Sequence, residues 1–184
     1  MTTLSATLAQ DRRSSLLGVA GFVVALAAAS QLAIPIPGTP VPLTLQPMIV
    51  VLAGLVLGPA RGAAAMLLYL AIGAVGVPVF APMGAPGIAR LFGPTGGYLL
   101  AYPAAAWIAA VVAQRIPSLG GRWLAAALGI VTLYVGGIAQ LTILTGSASR
   151  AWALGITPFA ALDVIKACIA AAIASSRSAR ARDG

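Results

Sequence analysis

The sequence predicts an all-α membrane protein, a six-transmembrane-helix bundle whose outer loops cap a ligand cavity. Three observations carry this. Of 184 residues, 60% are apolar and 8% are charged, against the roughly 25% charged residues of a soluble domain, so lipid must be the solvent for most of the chain. Six apolar runs follow one another without the alternating segments of about ten residues that a barrel requires. Helices are then the way to satisfy the backbone in lipid. Finally, the basic residues fall between the runs and favour one side of them.

The runs are Leu16–Ile34, Pro47–Leu57, Gly62–Val77, Pro94–Val112, Trp123–Leu144 and Trp152–Ser175. The first is too long for a signal-peptide core of about 7–15 residues and reads as a retained helix. Gly58-Pro59-Ala60-Arg61 separates the second and third with a tight turn. Both are short against the roughly 17–25 residues of a span, so one broken, partly re-entrant element is the alternative. Pro94 suits the first turn of the fourth helix. No repeat or linker divides the chain, so residues 1–184 read as one integral membrane domain with polar tails at about 1–13 and 176–184.

Arg12, Arg13, Arg61, Arg115, Arg122, Arg177, Arg180 and Arg182 share one set of helix ends, and Arg90 and Arg150 share the other. Eight against two places both termini of a multi-pass protein in the cytoplasm. The net charge of +8 is therefore topology, with no basic stripe for nucleic acid. Histidine and glutamate are absent and Cys168 is alone. That argues against a metal site, a disulfide or hydrolytic catalysis, and no cofactor or enzymatic role is expected.

Two loops and one helix carry the chemistry. Residues 34–47 hold five prolines and no charge, which forbids a helix and favours a stiff, extended path. They read as a lid or a plain connector. Residues 76–92 form a second outer loop with Phe80 and Arg90, leading into Gly93-Pro94-Thr95-Gly96-Gly97-Tyr98. This is not a phosphate loop, because no Lys-Ser/Thr follows the glycines. Gly96 and Gly97 suit either backbone approach to a bound group or tight helix packing.

The sixth run contains Asp163 and Lys166. Their i, i+3 spacing puts them on one helix face, and each costs about 2.5–3.5 kcal/mol at the bilayer centre. They must face the bundle or a wet cavity, as a structural ion pair or as a ligand site. Thr157 and Pro158 read as N-cap and first helical residue. Asp163 would then lie about two turns in, in the outer half of the helix. In the first helix, Gly18, Gly21, Ala25, Ala29 and Ala33 make a small-residue face, suited to packing within the chain or to docking a partner membrane protein.

Taken together, these segments resemble the BioY family, the biotin-specific S components of energy-coupling-factor (ECF) transporters. The resemblance rests on Ile36-Pro37 through Val41-Pro42 and Leu43-Thr44-Leu45-Gln46, on Gly76-Val77-Pro78-Val79-Phe80 with Gly93 to Tyr98, and on Asp163-x-x-Lys166. It implies a six-helix bundle that binds biotin near the outer face and takes it up. Asp163 and Lys166 would contact biotin, with Arg90 nearby and Gln46, Phe80 and Tyr98 as further candidates. Ala25 and Ala29 would face the transmembrane coupling protein, which in turn contacts ATPase subunits. A homo-oligomer stays open. After Phe80 the family is more glycine-rich than Ala81-Pro82-Met83-Gly84-Ala85-Pro86-Gly87, which implies a stiffer second lid. An S component for another small vitamin, a passive channel and a scaffold are the alternatives.

Overall fold

The structure, a computed structural model, describes residues 2–183, with side chains from 13 to 177. The side chains of Arg12, Arg180 and Arg182 lie outside the described residues. Among the described residues seven α-helices form: α1 Thr2–Gln31, α2 Gln46–Leu57, α3 Pro59–Ala74, α4 Gly96–Arg115, α5 Leu119–Thr145, α6 Ala148–Gly155 and α7 Ala160–Asp183. A short 3-10 helix spans Gly87–Phe92 between α3 and α4. The polar tails are part of α1 and α7.

Arg13–Gln31, Gly96–Arg115 and Leu119–Thr145 are each long and apolar enough to cross a membrane, and Ala148–Gly155 with Ala160–Arg177 qualifies as one span bent by 54°. α2 and α3 have 12 and 16 residues. At 1.5 Å per residue they are about 18 and 24 Å long, short of a hydrocarbon core of about 30 Å. The Gly58 turn between them has the form expected, with Gly58 at φ +81° and Pro59 opening α3.

Two expectations about helix starts are corrected. The sixth run is two helices, broken at residues 156–159. The residue before a proline is pushed out of the α region, and Pro158 has no N–H to donate, so Thr157-Pro158 ends one helix and does not cap the next. Asp163 consequently sits in the first turn of α7, about one turn earlier than expected. Pro94 likewise lies in a turn ahead of α4, which begins at Gly96 with its N–H on the Gly93 carbonyl at 3.0 Å.

α4 packs against α2, α3 and α5, α7 against α2 and α5, and α1 against α2 and α3. Small residues permit this. A Cβ on Gly97 would meet the Gly136 carbonyl of α5, and one on Gly54 would meet the Ala106 carbonyl of α4. Gly97 is thus a packing glycine, and a Cβ on Gly96 would strike the Leu91 carbonyl. Leu26, Val50, Met66, Tyr69 and Leu133 fill the centre, while Val24, Leu67, Val135 and Ile143 are exposed. Exposed aliphatic side chains around a bundle with so few charges suit lipid contact. On α1, Gly18 stands against Leu57 and Gly21 has open space, while Ala29 is buried by the chain's own packing and Ala25 is half-buried.

Candidate functional site

The break before α7 and the two loops border a cavity that opens between them. Asp163, Lys166, Arg90, Gln46, Phe80 and Tyr98 all border it. Sequence positions up to 120 residues apart are thus brought to one wall, because α2, α4, α5 and α7 converge there.

The Pro-rich first loop is not simply extended. Ile34 and Leu43 exchange N–H···O bonds of 2.9 Å in both directions, so the loop closes into a small hairpin turning at Gly38, φ +87°. The Thr39 hydroxyl donates to the Leu154 carbonyl at 2.7 Å. Val41 packs with Leu141, Ala151 and Phe159, so Phe159 anchors the turn before α7 beneath this loop.

Asp163 and Lys166 are both buried. Lys166 Nζ donates to Asp163 Oδ1 at 2.7 Å, and the Tyr134 hydroxyl of α5 donates to Asp163 Oδ2 at 2.5 Å. The carboxylate also lies at a helix N-terminus, where the helix dipole favours negative charge. An ammonium has three donors and a carboxylate about four acceptor positions, so the triad keeps bonding capacity for a further polar group. The rest of the lining is mainly apolar and aromatic, including Phe80, Tyr98, Tyr102 and Phe159.

The other expected residues have protein partners as well. Gln46 Nε2 donates to the Tyr69 hydroxyl at 3.0 Å, which donates to the Val79 carbonyl at 2.8 Å. Phe80 meets Tyr69 edge to face, with ring centroids 5.4 Å apart. The Tyr98 hydroxyl donates to the Gly155 carbonyl at 2.8 Å, fastening α4 to the end of α6. Arg90 is buried, and its terminal nitrogens donate to the carbonyls of Ala81 and Met83. Burial lowers its pKa from the ordinary guanidinium value, and Tyr69 opposes that shift. Ala25 and Ala29 do not border the cavity.

Tyr134 escaped the sequence reading. Its signal was available: a tyrosine in the middle of an apolar helix seeks a partner for its hydroxyl, and Asp163 seeks a donor. Tyr69 and Tyr102, stacked with centroids 6.2 Å apart, escaped for the same reason. Among the described residues, no group of three or more His, Cys, Asp or Glu could hold a metal ion.

Comparison with known proteins agrees with this architecture. The model of the BioY family matches residues 2–183. A probable biotin transporter BioY of Pyrococcus horikoshii is 41% identical over 85% of this chain and 91% of its own length. The biotin transporter BioY of Thermotoga maritima is 36% identical over 77% of this chain and 83% of its own. A crystal structure of the S-component for biotin from an ECF-type ABC transporter superposes with a TM-score of 0.85 at 24% identity, covering 100% of this chain and 95% of that one. That likeness speaks for the fold. The helices, the charged pair beneath the two loops and the extent of these matches lead to one conclusion: this chain belongs to the BioY family.

Proposed function

We propose that the protein binds biotin in this cavity and takes it up as the substrate-specific component of an ECF-type transporter. The observation that carries the reading is the Tyr134–Asp163–Lys166 triad set in a mainly aromatic and apolar cavity. Biotin offers matching chemistry: ureido N–H groups for a carboxylate, a carbonyl or carboxylate for an ammonium, and a fused ring system for an apolar wall. Asp163 accepts from the ureido ring, Lys166 is its cationic neighbour, and Phe80 and Tyr98 hold the rings. Gln46 and Arg90 border the ligand. The relatives named biotin transporters support the choice of ligand.

In this reading the chain crosses the cytoplasmic membrane six times, α2 and α3 included, with both termini inside, as the eight-to-two distribution of arginines favours. α1, through the face carrying Gly21 and Ala25, meets the coupling protein that contacts the ATPase subunits. Two experiments test the proposal. Titration calorimetry of the detergent-purified chain should show saturable biotin binding, and no binding would sink it. Uptake of labelled biotin should then rise on co-expression of coupling and ATPase subunits. For topology, a Cys168→Ala background with single cysteines at Gly38 or Ser118 should label from outside at Gly38 alone.

A further inference from the structure

Ahead of its 3-10 helix, the second loop is held mainly by side chains. Pro78, Pro82 and Pro86 remove backbone donors from it, and its carbonyls find partners elsewhere. The Val79 carbonyl accepts from the Tyr69 and Ser30 hydroxyls at 2.8 and 2.6 Å, and the Phe80 carbonyl accepts from Gln31 Nε2 at 3.1 Å. Beyond Phe80 the fastening passes to Arg90, whose two terminal nitrogens take the carbonyls of Ala81 and Met83. The planar, forked guanidinium can bridge two carbonyls at once, which an ammonium on a flexible stem does not reproduce.

Gly84 completes the arrangement. Its φ is +106°, a conformation that glycine adopts without strain. A Cβ there would stand 2.5 Å from Arg90 Nη1, so a larger residue adds backbone strain and makes the guanidinium shift from its present seat. Ala81 and Arg90 both border the cavity, so the shape of this wall depends on the clasp.

We propose that Arg90 is a positioning residue that acts on the ligand through the second loop: its guanidinium clasps residues 81–83 and so holds Ala81 in the cavity wall, and Gly84 is glycine so that the clasp can seat. The assignment of ligand rests on the biotin reading above. The clasp itself does not.

The test uses the full chain in detergent and three variants, Arg90→Lys, Arg90→Gln and Gly84→Ala. Hydrogen exchange of peptides covering residues 79–86, measured without ligand, should quicken in all three. Unchanged exchange in Arg90→Lys overturns the clasp, whatever ligand the protein binds. In chase experiments with labelled biotin, Arg90→Lys and Gly84→Ala should speed release by about tenfold or more, the scale of one charged hydrogen bond, with association little changed. They should weaken biotin and its neutral biotinamide analogue by the same factor. If Arg90→Lys weakens biotin and spares biotinamide while Gly84→Ala is neutral, Arg90 is instead a direct partner of the ligand carboxylate and the proposal falls. Failure of the unmodified chain to bind biotin sinks the transport reading and leaves the exchange result to judge the clasp.

Discussion

The Tyr134 hydroxyl reaches from α5 to the first turn of α7 and donates to Asp163 Oδ2 at 2.5 Å. Lys166 holds the other carboxylate oxygen, so the acid is fixed from two sides before any ligand arrives. Preorganisation of this kind lowers the cost of binding.

Tyr134→Phe should keep the fold and weaken biotin binding. A hydrogen bond to a charged group is worth about 1.5–3 kcal/mol, so the loss should be about tenfold to a hundredfold in Kd. Calorimetry of the purified variant decides it. Unaltered affinity would make Tyr134 a bystander.

The charged pair separates stability from binding. Asp163→Leu alone leaves a buried ammonium without its carboxylate and should cost about 3–5 kcal/mol. Asp163→Leu combined with Lys166→Met removes both charges and should regain most of the thermal stability. It should still bind no biotin. If the double variant binds like the unmodified protein, the pair is structural only.

Tyr69→Phe breaks a chain that runs from Gln46 through Tyr69 to the Val79 carbonyl. Each lost bond is worth about 0.5–1.5 kcal/mol net, more if the freed group stays buried and unpaired. A lower melting temperature in detergent is expected, with faster hydrogen exchange in residues 77–81. The edge-to-face contact with Phe80 survives the change, so side-chain packing there should be kept.

Gly97→Val should be strongly damaging, because Gly97 is buried where α4 meets α5. The added side chain must displace the Gly136 carbonyl of α5, and such overpacking costs typically about 1–3 kcal/mol or more. The yield of monodisperse protein in size-exclusion chromatography should collapse. Gly21→Val, facing open space on α1, is the matched control and should be well tolerated in the isolated protein.

Much of this was legible in the residues, because the solvent itself imposes it. Low charge and long apolar runs leave helices as the answer, and Asp163 and Lys166 stand out where lipid makes charge costly. What was not legible depends on distant partners. The meeting of Tyr134 with Asp163 is set by how α5 packs on α7, and no spacing in one helix encodes it. The first loop was read as extended from its prolines, yet the Ile34–Leu43 bridge depends on where Gly38 lets the chain turn. Pro158 taken alone suits a helix opener, but it also turns Thr157 away from the α region, so α7 starts only at Ala160. The resemblance puts Arg90 near the ligand, and its bonds to Ala81 and Met83 belong to tertiary structure.

The bend at residues 156–159 also sets an order of assembly. During synthesis, residues 152–175 emerge as one apolar stretch, which suffices for insertion as a single span. The bend needs Val41 and Leu141 to cover Phe159, and the acid needs Tyr134; all of these are made earlier in the chain. Every other residue lining the cavity is translated before α7. The charged pair is therefore the last part of the lining to be made, and a chain stopped short of Asp163 lacks the one wall that carries both charges.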